Sequence, residues 1–245
     1  MKFTQIGNGS ALVPTNTNSS FAITGTKYSM LVDCGSNVYE KLYKDYPLYI
    51  PKFKYIFITH MDDDHIGSLR SFMYHLYFKC NVIPCVIVDE SLKYDMLNYL
   101  KNHHGIIKDY QKDNSVGLYD FITINNSEFT NIDLDDEDTI GISSFQNKHF
   151  QPGSGISVIN KSKATGVSIT GDTVPCKEIL DEFNEMSYEC PNFYKMYHDF
   201  SSWDMPSMQV HSCRSAMELM YPKAMIKKLK FYHNDSMIKP RQFQF

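Results

Sequence analysis

The segment from position 56 to 67 holds the side chains best suited to bind a metal. An apolar run leads into five candidate ligands: His60, Asp62, Asp63, Asp64 and His65. Borderline and hard divalent cations favour imidazole and carboxylate donors of this kind. Alternation lets His60, Asp62 and Asp64 project one way from an extended turn, while His65 follows on a new helix. The segment therefore predicts a metal site at the end of a strand.

Helix capping is the alternative explanation for these acidic residues. Aspartates at a helix N-terminus satisfy unpaired amides and interact favourably with the helix dipole. Capping accounts for one or two carboxylates, but it does not account for a histidine on either side of them. The pattern as a whole favours a metal site.

Three more candidate ligands each follow an apolar, strand-like segment. Asp172 comes after residues 167–171, His233 after residues 229–232, and His149 after residues 140–145. Side chains at strand ends lie on a rigid scaffold and can meet at one edge of a sheet. Taken singly, Asp172 is equally compatible with a turn or cap, and the two histidines with surface positions.

The elements that must position these residues follow from hydrophobic periodicity and turn signals. Strands are predicted at residues 3–6, 21–23, 28–32, 55–59, 82–88, 156–159, 167–170 and 230–232, with several antiparallel strands between 106 and 145. Helices are predicted at residues 37–45, 66–78, 90–101, 177–186 and 212–220, and Pro222 marks a break before residues 223–228. Because Pro84 interrupts its segment, that strand is expected to start late or to lie at an edge. Strand-rich halves followed by helices predict one α/β domain over residues 1–245, with sheets inside and helices outside.

Composition limits the function classes. The 245 residues are 42% hydrophobic and 14% aromatic, which excludes a disordered chain. The net charge of −4 argues against tight binding to long nucleic acid. The acidic run at residues 133–138 is expected to be a solvated turn. Six cysteines in a chain of this size are expected to be reduced, and the N-terminus has no signal-peptide core, so a cytoplasmic location without membrane association is expected.

The order of these motifs resembles the metallo-β-lactamase superfamily, and within it the RNase Z-like phosphodiesterase branch. The resemblance rests on residues 6–14, 18–20, 31–35, 60–65 in place of the superfamily's H-x-H-x-D-H, 149–155, 170–173, 198–201, 211–212 and His233. It spans nearly the whole chain and implies a four-layer αβ/βα sandwich.

The resemblance also implies two bound divalent metal ions, most often Zn²⁺. One would be held by His60, Asp62 and His149, the other by Asp64, His65 and His233, with Asp172 bridging them. The superfamily usually has histidine where this chain has Asp62. A carboxylate is a harder donor, so Mn²⁺ or iron becomes a plausible occupant. Asp33 would orient a ligand histidine by accepting its free ring N–H.

Two metal ions about 4 Å apart suit phosphodiester hydrolysis, because they activate water and neutralise the phosphate oxygens. Protonation of the leaving group is assigned to His211, held by Asp199; the relatives have glutamate in place of that shorter carboxylate. Asp64, His211 and Asp199 are therefore the residues expected to take part in the reaction. The alternative is that His211 caps the following helix and Asp199 ends a turn.

Within the branch, the chain is most similar to the phage anti-Pycsar cyclic-nucleotide phosphodiesterases. Only residues 160–170 lie where bacterial RNase Z enzymes insert a long tRNA-binding arm. The resemblance thus implies hydrolysis of 3′,5′-cyclic nucleotides, such as cCMP, cUMP and cyclic purine mononucleotides, to nucleoside 5′-monophosphates. It further implies a homodimer acting in a host cytoplasm against cyclic-nucleotide antiphage signalling, with no stable nucleic-acid partner. The aromatic stretch at residues 188–203 is a candidate base-stacking surface, although such aromatics are more often core.

Two other functions stay open. One is an RNase Z-like endoribonuclease or another nuclease of the same fold, since the aspartate-containing ligand set also resembles competence-associated nuclease domains. The other is a non-catalytic metal-binding protein. That function would be indicated by inert residues at ligand positions, and the sequence has none there.

Overall fold

The computed structural model describes residues 1–104, 118–126, 128–202 and 210–233. Two six-stranded sheets pack face to face, and helices cover both outer faces. The result is the predicted four-layer α/β sandwich. No helix within the described ranges has both the length and the apolar character needed to cross a membrane. All six cysteines fall within these ranges and are free thiols, as predicted.

The first sheet is built by the N-terminal half of the chain. Its strands, in spatial order, are β1 (Lys2–Gly7), β2 (Ser20–Thr24), β3 (Ser29–Val32), β4 (Phe53–Ile58), β5 (Cys85–Asp89) and β6 (Asp120–Ile124). The first three strands are antiparallel neighbours, whereas β3 to β6 are parallel. The carboxyl ends of four strands therefore lie at one edge.

The second sheet is built by the C-terminal half. Its strands, in chain order, are β7 (Thr130–Ile132), β8 (Ile140–Gln146), β9 (Ser154–Asn160), β10 (Thr165–Ile169), β11 (Phe193–Asp199) and β12 (Lys230–Tyr232). Strands β7 to β10 are antiparallel, and β10, β11 and β12 are parallel. Three further carboxyl ends thus share an edge.

The helices lie outside the sheets or directly after strands. They are α1 (Val38–Asp45), α2 (Asp63–Ile66), α3 (Leu69–Cys80), α4 (Lys93–His104), α5 (Lys177–Glu189), α6 (Arg214–Met220) and α7 (Lys223–Ile226), with short 3₁₀ helices at Pro47–Lys52 and Glu90–Leu92. The helix predicted at residues 66–78 is therefore preceded by the single turn of α2, and the one predicted at 90–101 begins as a 3₁₀ turn.

Alternation along the strands explains the layers. In β4, Ile56 and Ile58 are fully buried against the outer helices, while Phe57 is buried between the two sheets. Successive side chains of a strand point to opposite faces, so a strand that is apolar throughout must be covered on both. This pattern fixes the inner sheets, and with them the strand ends that carry the candidate ligands.

β5 begins only after Pro84, which confirms the first of the two alternatives predicted for that strand; it lies inside the sheet. Two details differ from the sequence predictions. β6 is parallel to β5 rather than antiparallel, because α4 crosses between them; apolar alternation is the same in either direction. β11 was not predicted. Residues 106–117 of the segment expected to form antiparallel strands lie outside the described residues.

Candidate metal centre

The candidate ligands meet at one edge of the sandwich, where parallel strands of both sheets end. His60 lies two residues beyond β4, Asp172 three residues beyond β10, and His233 directly after β12. His149 lies three residues beyond β8, and Asp199 is the last residue of β11. The expectation that residues far apart in sequence gather at a shared edge is therefore met by the topology.

Asp33 orients two of the histidines, His65 directly and His60 through Thr59. Its Oδ2 accepts a hydrogen bond from His65 Nδ1 at 2.8 Å and another from the Thr59 hydroxyl at 2.9 Å. The Thr59 oxygen, which donates to Asp33, in turn accepts from His60 Nδ1 at 2.9 Å. Both histidines thus hold a proton on Nδ1, and their Nε2 atoms face the carboxylate of Asp172.

Asp172 is the common member of three groups of potential ligand atoms. Within each group all atoms lie within 4.8 Å of one another, and the groups are Asp64–His65–Asp172–His233, His60–His149–Asp172 and Asp172–Asp199–His211–His233. A carboxylate shared in this way has the position that a bridging ligand requires. It is only 2% exposed.

The first group is held by short contacts. His65 Nε2 lies 3.3 Å from Asp172 Oδ1, and His233 Nε2 lies 3.1 Å from both Asp172 Oδ2 and Asp64 Oδ2. The main-chain amide of Ala11 also donates to Asp64 Oδ2 at 3.0 Å. Burial alone would raise the pKa of Asp64, but the hydrogen bond from His233 and the charge of His65 outweigh it and lower the pKa to about 2.

Burial also opposes charge on the histidines, with different outcomes. It would lower the pKa of His65, but the carboxylates of Asp172 and Asp33 raise that pKa well above its ordinary value. For His149 the balance is the opposite: the carboxylates of Asp172 and Asp62 favour the charged ring, but burial outweighs them and lowers its pKa to about 4. His149 is therefore neutral at physiological pH, the form in which imidazole binds metals.

The second group shares Asp172 with the first. His60 Nε2 is 3.7 Å from Asp172 Oδ2, and the His60 and His149 rings are 5.1 Å apart. Asp62 is placed beside this group rather than inside any of the three. Its Oδ2 is 3.5 Å from His60 Nε2, and its Oδ1 accepts from Gln151 Nε2 at 2.7 Å.

The unsatisfied atoms of the centre are those that a metal would use. Within the described residues, His60 Nε2, His65 Nε2, Asp172 Oδ1 and both ring nitrogens of His149 are buried and make no hydrogen bond. Leaving buried polar atoms unpaired costs about 1–3 kcal/mol each. Four imidazoles and several carboxylates converge here, a donor set that suits Zn²⁺, Mn²⁺ or iron. The residues present fit divalent metal ions.

Backbone strain accompanies this geometry. Asp33 and His233 adopt left-handed conformations, with φ of 60° and 63°, directly after β3 and β12, and Gly171 has φ of 65°. Such conformations are costly for residues other than glycine and persist where the surroundings fix them, often at functional sites. The strain turns these side chains away from the regular strand direction at the site edge.

His211 and Asp199, which share one group of potential ligands with Asp172 and His233, form the predicted pair. His211 Nδ1 donates to Asp199 Oδ2 at 3.0 Å, and the same oxygen accepts from the Thr173 amide at 2.9 Å. The His211 side chain is 26% exposed, whereas Asp199 is fully buried. His211 does not start the following helix, because α6 begins at Arg214.

His198, the neighbour of Asp199 in the same motif, serves a different purpose. It is fully buried, its Nδ1 donates to the Asp199 carbonyl at 2.8 Å, and its Nε2 accepts from the Tyr221 hydroxyl at 3.1 Å. Burial lowers its pKa, so the ring is neutral. Both nitrogens are satisfied on the helix side of the sheet, and His198 anchors the main chain that carries Asp199.

The aromatic stretch expected to stack on a base lies mostly at the wrong edge. Tyr188 and Phe193 are exposed, but β11 starts at Phe193 and reaches the site only at Asp199, about 20 Å further along. Trp203 lies outside the described residues. Among the described residues, Phe150 is an exposed aromatic residue at the site: it is 65% exposed, and its ring centroid lies 4.4 Å from that of His149.

Solved structures similar to this one define the class of fold. The metallo-beta-lactamase fold protein YhfI from Bacillus subtilis is 17% identical with a TM-score of 0.69, over 95% of this chain and 85% of that one. The short form of human tRNase Z is 20% identical with a TM-score of 0.67, over 96% of this chain and 92% of that one. The protein has the metallo-β-lactamase fold.

The family follows from the sequence profile of the anti-Pycsar protein Apyc1, which matches residues 1–244. The chain belongs to that family. A relative with the same description, from Paenibacillus harenae, is 28% identical over 92 residues. That match spans only 38% of this chain and 38% of the relative.

Proposed function

We propose that this protein is a metal-dependent phosphodiesterase that hydrolyses 3′,5′-cyclic nucleotides to nucleoside 5′-monophosphates. The observation that carries the proposal is the position of Asp172, a buried carboxylate shared by three histidine-containing groups of potential ligands, one of which includes the hydrogen-bonded pair His211 and Asp199. Bound as a pair, divalent cations supply Lewis-acid stabilisation of the phosphate charge and a nucleophile at neutral pH.

The ligand roles follow the two groups. His60 and His149, with Asp62 at their side, would hold one ion, and Asp64, His65 and His233 would hold the other. Asp172 would contact both. Asp33 and Thr59 fix the protons of His60 and His65 on Nδ1, so both Nε2 atoms are available without rearrangement. Preorganised ligands of this kind lose little entropy on binding.

His211 supplies the proton in the proposed reaction. Hydrolysis to a 5′-monophosphate breaks the bond between phosphorus and the 3′ oxygen, and that oxygen must be protonated as it leaves. The Asp199 carboxylate accepts from His211 Nδ1 and stabilises the imidazolium form, so His211 can carry a proton on its other nitrogen and donate it. Its partial exposure leaves it accessible to a substrate.

Two features favour a small substrate over structured RNA. The β9–β10 connection is the four-residue segment 161–164, which leaves no room for an RNA-binding arm. The net charge is −4, which disfavours tight binding to a polyanion. Phe150, whose ring lies beside that of His149, offers a surface on which one base can stack. The family's description as anti-Pycsar supports a cyclic-nucleotide substrate.

The test is a substrate panel with the purified protein in Zn²⁺ or Mn²⁺. We expect hydrolysis of 3′,5′-cyclic nucleotides, with 5′-monophosphates as the products resolved by chromatography. Cleavage of precursor tRNA or single-stranded DNA without cyclic-nucleotide hydrolysis would identify a nuclease and overturn the proposal. Absence of cleavage of every phosphodiester by metal-loaded protein would identify a non-catalytic metal-binding protein.

The expected assembly and location belong to the same proposal. We propose a homodimer in the host cytoplasm that opposes cyclic-nucleotide signalling. Analytical ultracentrifugation would detect the dimer as a species of about twice the 28.4 kDa chain mass. A monomer at micromolar concentration would contradict that part of the proposal alone.

A further inference from the structure

Asp62 stands where the superfamily usually has histidine. Its side chain is held by Gln151, a residue outside the ligand motif at residues 60–65. Gln151 Nε2 donates to Asp62 Oδ1 at 2.7 Å, across 89 positions of sequence. The other carboxylate oxygen, Oδ2, lies 3.5 Å from His60 Nε2. The two oxygens therefore face different partners, one toward Gln151 and one toward the ligand group of His60 and His149.

Helix capping does not explain the orientation of Asp62. The residue occupies the N-cap position of α2, yet its side chain makes no capping hydrogen bond to the residues that the structure describes. Its main-chain carbonyl accepts from the amides of His65 and Ile66 at 2.8 and 3.0 Å and starts the helix. The carboxylate is therefore not used for capping, and both of its oxygens contact residues of the site.

The loop that carries Gln151 is itself fixed to the strands of the centre. The Asn147 side-chain amide donates to the carbonyls of Thr170 and Asp172 at 3.0 and 3.1 Å. At the other end, the Ser154 amide donates to the Thr59 carbonyl at 3.0 Å. The loop that carries Gln151 is therefore hydrogen-bonded to the site strands at both of its ends. This fixes the main chain from which Gln151 contacts Asp62.

From these contacts we infer that Gln151 is a positioning residue for Asp62. By binding Oδ1 it directs Oδ2 toward His60 and His149 and makes the carboxylate a one-oxygen donor to that half of the centre. A histidine ligand is oriented in the same manner when its second ring nitrogen donates to a neighbour. The inference rests on metal occupancy of the proposed site and is independent of the substrate.

The experiment is a double-mutant cycle on metal binding. Wild type, Gln151→Ala, Asp62→Ala and the double variant are stripped of metal and titrated with Zn²⁺ and Mn²⁺ against a chromophoric chelator. We expect Gln151→Ala to weaken one of two binding steps by about tenfold, as loss of an orienting partner usually does. Asp62→Ala should weaken the same step, and Gln151→Ala should have no further effect in that background. Gln146→Ala, an exposed glutamine at the end of β8, is the matched control and should bind as wild type.

Each outcome is decisive. Wild-type affinity in Gln151→Ala, or additive losses in the double variant, would overturn the inference while leaving the metal centre intact. A wild type that binds no metal would overturn the proposed function as well. Circular dichroism and thermal unfolding of each metal-free variant show whether a loss of affinity reflects misfolding.

A second variant, Gln151→Glu, tests the same contact. Its charge repels Asp62 at nearly unchanged volume, so it should weaken the same step at least as much as alanine; binding as tight as wild type would contradict the inference.

Discussion

The two halves of the molecule contribute to the metal centre in different ways. The N-terminal half supplies His60, Asp62, Asp64 and His65 from a single turn after β4. The C-terminal half supplies its residues singly, from the ends of different strands. A cluster of ligands within six residues can be recognised in the sequence. Single residues can be recognised as ligands only when a sheet brings them together. Yet the residue common to all three ligand groups, Asp172, comes from the second half.

The largest effect expected from this comparison is therefore in the second half. Asp172→Ala should abolish binding of both metal ions, with a loss of affinity greater than the roughly 10–100-fold typical of changes in orienting residues. Asp62→Ala should weaken one binding step only, because Asp62 lies outside the shared groups. Metal content after dialysis, measured by elemental analysis, tests both variants. If Asp62→Ala lost more metal than Asp172→Ala, the N-terminal half would be the more important one for metal binding, which would contradict this comparison.

A second prediction separates ligands from the proton donor within the C-terminal half. His211→Ala should lower turnover of a cyclic nucleotide by about 10²–10⁴-fold, since a positioned acid typically contributes that much. Its metal content should equal that of wild type. Because His211 also lies within one potential ligand group, loss of a metal ion in this variant would show that it is a ligand instead.

A third prediction compares the two edges of the second sheet. Phe150→Ala should raise KM for cyclic nucleotides by about tenfold, the lower part of the 1–3 kcal/mol range for base stacking on an aromatic ring. Phe193→Ala removes another exposed phenylalanine, at the opposite edge, and should have no effect. Methyl p-nitrophenyl phosphate, which has no base, should be hydrolysed alike by all three proteins. Equal KM values for cyclic nucleotides would exclude stacking on Phe150.

A change away from the centre should have the smallest effect on the site itself and should alter only stability. Burial raises the pKa of Glu182, on α5, to about 6, although a hydrogen bond from Ser157 opposes the shift. The unfolded chain releases this proton near the ordinary value of 4.5, so stability falls as pH rises between 4.5 and 6. The total is about 2 kcal/mol at most.

Glu182→Gln removes this dependence. Above pH 6 the variant should be more stable than wild type by up to about 2 kcal/mol, and the difference should vanish below pH 4.5. Urea unfolding at pH 4.5 and 7.5 measures it, with metal content as the control that must not change. A variant less stable than wild type at pH 7.5 would show that the charged carboxylate is favourable in the folded state.

The sequence predicted most of the fold because most of its strands are apolar runs bounded by turn residues. It missed β11, whose exposed first residues and mixture of lysine, tyrosine and histidine lack a clear alternation. It also gave the wrong direction for β6, since direction depends on the crossover through α4. Hydrophobic periodicity identifies an element without revealing its neighbours.

The candidate site was predictable to a similar extent. Asp33 accepts a hydrogen bond from His65 and Asp199 accepts one from His211, as the resemblance implies, and the roles of these residues in the reaction stay predictions. Gln151 and Phe150 were missed, because a glutamine and a phenylalanine in a loop have no ligand chemistry of their own. Their proximity to His149 was the only signal available. Their significance comes from contacts across 89 positions and from exposure at the site, which only the fold reveals.

The most direct test of the account is the metal stoichiometry of the purified protein. The convergence of His60, His65, His149 and His233 around Asp172 predicts two tightly held divalent ions per chain, measured by elemental analysis after removal of loosely bound metal. Protein that contains no stoichiometric transition metal, and that takes up none when Zn²⁺ or Mn²⁺ is supplied, would contradict it.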